Sequence, residues 1–105
     1  MTFRVYLTEE AEQDLQRLEE FLFERALERG DGAAAWIGQA MDEIRRHLRI
    51  LETNPFTCRR VGDHPFEREL VIPFGHTGYV ALFEIVSEDE VVVAALRHQR
   101  EDGYH

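Results

Sequence analysis

A chain of 105 residues, 44% of them hydrophobic, is about the size of one domain and long enough to bury a single core without covalent staples. A formal net charge of −9, with all 12 basic residues arginine and none lysine, argues against a non-specific nucleic-acid binder, which needs a dense cationic face to neutralise phosphates. No run approaches the roughly 20 apolar residues of a membrane span, the start Met1-Thr2-Phe3-Arg4 lacks a basic-then-apolar leader, and the single Cys58 permits no intrachain disulfide, so a reducing, cytoplasmic setting is expected.

Along the chain, Phe3, Val5 and Leu7 alternate with Arg4, Tyr6 and Thr8, which predicts a short strand with one buried face. Thr8 suits a helix N-cap, with Glu9 and Glu10 where the helix dipole favours acids. Ala11, Leu15, Leu18, Leu22 and Ala26 then form one apolar stripe on a helix over residues 9–29. Gly30-Asp31-Gly32 breaks it. A second helix begins near Ala33, with the stripe Ile37, Met41, Ile44, Leu48 and Leu51, and Asn54-Pro55 ends it. Two amphipathic helices joined by so short a turn should pack as an antiparallel hairpin.

Residues 55–67 show no period and carry Pro55, Gly62 and Pro65, so a loop is predicted there. Three strands follow, over Glu69–Phe74, Tyr79–Val86 and Val91–Leu96, each bounded by turn residues. Pro73 marks an edge position or a strand terminus. The expected architecture is α+β in the order β-α-α-β-β-β, with a helical hairpin on one face of a mostly antiparallel sheet and one domain over residues 1–105.

The chemistry-bearing residues are sparse. The five histidines lack the close spacing of a zinc site, and Cys58 has no cysteine partner, so no metal and no cofactor is expected. Gly75-x-x-Gly78 reads as a hairpin turn and not a phosphate loop, because no helix follows it. Cys58 has no histidine or base placed beside it by sequence, which favours an inert thiol. Positive charge gathers in the middle of the chain, at Arg59, Arg60 and Arg68, and at the Arg97/Arg100 tip.

Five segments, in order, resemble the ParE/RelE superfamily of type II toxins. They are Leu7-Thr8-Glu9-Glu10-Ala11-Glu12-Gln13-Asp14-Leu15, Leu51-Glu52-Thr53-Asn54-Pro55-Phe56, Arg68-Glu69-Leu70-Val71-Ile72-Pro73-Phe74, Gly78-Tyr79-Val80-Ala81-Leu82-Phe83-Glu84-Ile85, and Leu96 through Tyr104. The resemblance covers nearly the whole chain. It implies a bacterial toxin causing growth arrest, with a ParD-like antitoxin partner whose C-terminal segment folds onto it. It also implies one of two targets. The RelE-like branch cuts mRNA on the ribosome, whereas the ParE-like branch poisons DNA gyrase and is not known as a catalyst.

The RelE-like branch resembles a pattern of paired lysines on the first strand of the meander and an arginine just after a Gly-Tyr on the next. Here those lysine positions fall near Val71 and Pro73, and Val80 follows Gly78-Tyr79. The departures place the chain nearer the ParE branch. Target-binding candidates are Arg59, Arg60, Arg97, His98 and Arg100, chosen for their setting in an otherwise acidic chain. Phe21, Phe23 and Trp36, lying off the main stripes, are candidates for the antitoxin groove, against the alternative that they are core. Arg68 is a further candidate to converge with Arg97, His98, Arg100 and Tyr104 where the strands end. The alternative ribonuclease reading rests on a resemblance to ribonuclease toxins that end in a His-Tyr pair and use a Glu upstream, which here points to Glu67, His98 and Tyr104. A third reading is a non-toxic antitoxin-binding module. The structural alternative has Arg97 and Arg100 in ion pairs with Glu101, Asp102 or Glu84, His98 capping the strand, and Tyr104 packing on the sheet.

Overall fold

The computed structural model describes residues 2–30, 32–75 and 77–100. Its elements are β1 (Arg4–Leu7), α1 (Glu9–Arg29), α2 (Ala33–Leu48), β2 (Arg59–Val61), β3 (His64–Phe74), β4 (Thr77–Ser87) and β5 (Glu90–His98). Two short 3-10 turns, Arg49–Glu52 and Pro55–Thr57, lie between α2 and β2. The expected α+β architecture stands: two helices pack on one face of a sheet whose strand pairs are antiparallel except for β1 with β5.

Local chemistry accounts for the helices. Thr8 caps α1, its hydroxyl oxygen accepting a hydrogen bond from the Ala11 N–H at 3.0 Å, with Glu9, Glu10 and Glu12 in the first turn. Gly30 closes α1 and Gly32 opens α2, at φ of +80° and +83°, values that an L side chain resists. Of the predicted stripes, Ala11, Leu18, Leu22 and Ala26 on α1 and Met41, Ile44 and Leu48 on α2 are buried, while Leu15 and Ile37 are half-buried at the margin of the core. Leu51 continues the second stripe on a 3-10 turn, fully buried, because the helix tightens before Asn54-Pro55 ends it.

The sheet has the order β1-β5-β4-β3-β2, with β1 parallel to β5 at Val5↔Val91. Its helix-facing side supplies Leu70 and Ile72 from β3, Tyr79, Ala81, Phe83 and Ile85 from β4, and Val91, Val93 and Leu96 from β5. A bulge at Ala94, where Leu82 pairs with Ala95 but Phe83 with Val93, keeps both Val93 and Leu96 in the core. Among the described residues no helix is long and apolar enough to cross a membrane.

The stretch predicted as a loop over 55–67 is partly strand. β2 pairs antiparallel with β3, Arg59 opposite Glu69 and Arg60 opposite Arg68, and β3 already begins at His64. These strands hide from periodicity because the edge exposes both faces: Arg59, Arg60, His64, Pro65 and Phe66 are all solvent-accessible. Pro73 sits one residue before the end of β3, beyond the reach of β2.

Candidate functional site

The first described constellation gathers at the end of β5. His98 is the last residue of that strand and lies on its helix-facing side, opposite Tyr79 in register. Its ring stands edge-on to Tyr79 at 5.7 Å and tilted to Phe21 of α1 at 6.2 Å. The Arg100 N–H donates to its Nδ1 at 3.2 Å. Nδ1 is therefore the acceptor nitrogen, which places the ring proton of the neutral form on Nε2, 3.3 Å from the Thr77 hydroxyl oxygen.

Aromatic rings continue from there, Phe74 against Tyr79 at 6.5 Å and Trp36 against Phe74 at 6.4 Å. Together with Phe21 they line an open groove of about 510 Å³ between the helical hairpin and the end of the sheet. Among the described residues the charged side chains on this groove are Arg25 and Arg100, and Arg17 lines an adjoining recess shared with Phe21 and His98. In a chain of net charge −9, the described residues of this groove are cationic and aromatic.

The predicted site residues divide among several places. His98 and Arg100, from the target set, share the groove with Phe21 and Trp36, from the antitoxin set. Phe23 is elsewhere: two residues on from Phe21 is about 200° around the helix, and Phe23 lines a cleft with Ile37 of α2. Arg97 alternates to the open face of the sheet, where the row reads Val71, Val80, Arg97, and its guanidinium donates to the His98 and Gln99 carbonyls at 3.2 Å each. Arg59 shares that open face but lies three strands away, about 14 Å across the sheet, and is ion-paired to Glu69 at 3.1 Å. Arg60 alternates to the other side of the same edge strand and is exposed.

Arg68 does not join the strand-end cluster. Its guanidinium donates to the carbonyls of Phe56, Cys58 and Pro65 at 2.9, 2.8 and 3.2 Å, and lies 5.3 Å from the Phe56 ring centroid. It therefore ties the irregular 55–58 segment to β3. Nor do Glu67 and His98 meet. Glu67 pairs with Glu84 on the open face, while His98 is on the other face and roughly 17 Å further along the strand direction. Tyr104, Glu101 and Asp102 lie outside the described residues. Burial pushes the Cys58 thiol above its ordinary value, opposed by the positive charge of Arg68. Burial also raises the Tyr79 phenol. Among the described residues no three His, Cys, Asp or Glu side chains cluster as metal ligands.

Sequence reading missed Asp14, Thr77, Phe74 and Tyr79 as builders of this end of the molecule. The signal for Asp14 was present, an acid inside the buried stripe of α1, where a polar residue needs a fixed partner. The aromatic members lie on separate elements and become neighbours only through sheet register.

Comparison with known proteins closes the question of family. The sequence profile described as ParE toxin of type II toxin-antitoxin system, parDE, matches residues 5–103. This chain belongs to the ParE toxin family. A solved structure titled "Chromosomal ParDE TA system from P. aeruginosa" resembles it with a TM-score of 0.67 at 18% identity, covering 96% of this chain and 98% of that one. At that identity the likeness speaks for the fold of this ParE-family chain alone. Among curated proteins, no relative matches the sequence.

Proposed function

We propose that this ParE-family toxin arrests bacterial growth by binding DNA gyrase in the cytoplasm, without catalysing a reaction itself, and that a cognate ParD-like antitoxin neutralises it. The observation that carries binding over catalysis is the separation of Glu67 from His98. General acid–base cleavage needs both groups within hydrogen-bond reach of one substrate, and these two stand on opposite faces of the sheet. The open-face row Val71, Val80, Arg97 supports the same reading, since it leaves one cation where the RNA-cleaving branch resembles several.

A protein inhibitor works through a few buried anchors, often arginine or aromatic. Arg97 on the open face and His98 with Arg100 at the groove are the proposed contacts to gyrase, with Arg59 and Arg60 at the periphery. Phe21 and Trp36 in the groove, and Phe23 in the helical cleft, are the proposed contacts to the antitoxin.

The test is supercoiling of relaxed plasmid by purified gyrase with the toxin added. Inhibition with trapped cleaved DNA is expected, and Arg97→Ala should lose at least about tenfold in potency while remaining folded. Supercoiling unaffected by folded protein would overturn the gyrase assignment. Cleaved mRNA in a translating lysate would replace it with the ribonuclease reading.

A further inference from the structure

β3 and β4 separate at one end of the sheet. β3 begins at His64 and β4 runs on to Ser87, yet their last pair at that end is Glu67↔Glu84. β3 turns there to meet β2, with Val61 opposite His64. β4 carries a bulge at Val86, since Ile85 pairs with Val91 but Ser87 with Glu90. The fork between the strands holds an open recess of about 410 Å³. Ile85 is its buried lining residue, and Phe56, Phe66 and Val86 stand around it at 52%, 47% and 47% exposure. Exposed apolar side chains gathered in one place mark a surface for a partner. The charged lining residues are Glu84 and Glu88, and among the described residues no base lines the recess.

We infer that this fork receives an arginine side chain from a partner protein. Glu67 stands directly opposite Glu84 in register, and like charges so placed destabilise a sheet. A cation entering the fork relieves that repulsion. Arg68 lies between these strands in sequence but spends its guanidinium on the carbonyls of Phe56, Cys58 and Pro65. It also shows what the aromatic wall accepts, since its guanidinium lies 5.3 Å from the Phe56 ring centroid. An incoming arginine would lay its aliphatic stem against Ile85, Val86 and Phe66 and bring its head to Glu84 and Glu88. Arginine suits the fork better than lysine, because a guanidinium is more weakly hydrated and stacks on a ring while it binds a carboxylate.

Other occupants match less of the surface. A second copy of this chain, with the recess apposed to itself on a two-fold axis, would bring Glu84 and Glu88 against their own equivalents. Nucleic acid or an anionic lipid surface meets the same acids, reinforced by the net charge of −9. A free polyamine would satisfy the carboxylates and leave the exposed rings uncovered, whereas a peptide covers them with apolar residues beside its arginine. Ile85 is about 20 Å along β4 from Tyr79 of the His98 groove. The fork therefore stands apart from the contacts proposed above for gyrase and the antitoxin, and independently of them.

The experiment titrates the isotope-labelled full chain with a capped tripeptide, arginine between two leucines, and follows amide shifts by nuclear magnetic resonance. Saturable shifts are expected at Phe66, Val86 and Glu88. The same peptide with citrulline, the neutral analogue of arginine, should bind at least about fivefold more weakly. Phe66→Ser should weaken the arginine peptide at least about fivefold. Glu84→Gln/Glu88→Gln should weaken it at least about threefold and flatten its salt dependence. Glu20→Gln/Glu24→Gln, which removes acids of α1 far from the fork, should leave binding within about twofold. All of these side chains are exposed, and each variant's own spectrum shows whether it folds.

Equal binding of the arginine and citrulline peptides, or wild-type binding by Phe66→Ser, would overturn the inference. So would shifts spread over the acids of α1, or no localised shift up to about 10 mM peptide. Spermidine moving the same amides with the same dependence on Phe66 would make a free polyamine the occupant. Shifts at these amides that follow protein concentration without peptide would make it a second copy. Either result sinks the assignment to a partner's arginine.

Discussion

The Asp14 carboxylate accepts a 2.9 Å hydrogen bond from the backbone N–H of Leu96, joining the second turn of α1 to the far end of β5. β1 pairs with β5 only as far as Leu7↔Val93, so the edge beyond that point lacks a strand partner. α1 supplies one in pieces: the Thr8 N–H donates to the Val93 carbonyl, the Thr8 hydroxyl to the Ala94 carbonyl, and Arg17 to the Leu96 carbonyl. The helix thus replaces a strand at the point where β5 leads into Arg97 and His98. Asp14→Ala should cost about 1–3 kcal/mol by leaving a buried N–H without an acceptor. Asp14→Asn, which keeps an acceptor oxygen, should cost about half as much. Urea denaturation measures both, and equal losses would mean that the hydrogen bond is not what Asp14 contributes.

Gly78 is required by a close approach of backbone. A Cβ there would stand 2.2 Å from the Ile72 carbonyl oxygen and 3.0 Å from the Pro73 Cα, neither of which can rotate away. Gly78→Ala should therefore force β3 from β4 at the rim of the aromatic groove and cost about 2 kcal/mol or more. Gly75, at φ +61° with nothing within 4 Å of a Cβ, meets only backbone strain, so Gly75→Ala should cost about 1 kcal/mol. Thermal melts of the two variants should rank in that order. The reverse order would show that β3 and β4 relax at this point.

Both positions show where sequence was informative. The hairpin turn was legible from Gly75 and Gly78, and the helices from apolar stripes that the fold buries as predicted, because a helix face is set by local spacing alone. β2 and the start of β3 were illegible because an exposed edge strand has no buried face to impose a period. The site was half legible. His98 and Arg100 stood out as cations near a strand end, but their union with Phe21 and Trp36 depends on a register set by the bulge at Ala94. The same alternation separates Arg97 from His98, neighbours in sequence that serve opposite faces.

Cys58 offers a test of electrostatics. Burial raises its thiol above the ordinary value, and the nearby Arg68 charge only partly offsets that. At mildly alkaline pH the folded protein should hold less thiolate than an unfolded chain, so iodoacetamide should alkylate Cys58 at least about threefold more slowly than in denaturant. Linkage has a matching sign. A raised folded-state pKa contributes stability that is fully present below the unfolded thiol's value and is lost as pH rises through the folded one. Stability measured across that alkaline window should fall in the native protein and fall less in Cys58→Ala. Equal alkylation rates in the folded and denatured chain would refute the burial argument.

The His98 ring makes its own prediction about the tail. The Arg100 N–H needs an acceptor, and Nδ1 provides it, so the neutral ring must carry its proton on Nε2. Long-range proton–nitrogen correlation spectra of the neutral protein should show that tautomer. Thr77→Val, which removes the hydroxyl beside Nε2, should leave it unchanged, because the backbone contact fixes the choice. Asparagine places its oxygen near the Nδ1 position and glutamine near Nε2, so His98→Asn should keep the turn to Arg100 where His98→Gln loses it, a difference of about 1 kcal/mol. Amide exchange at Arg100 reads this directly: it should stay slow in the asparagine variant and quicken in the glutamine one. If the two exchange alike, His98 holds Arg100 by packing against Phe21 and Tyr79 and not by its nitrogen.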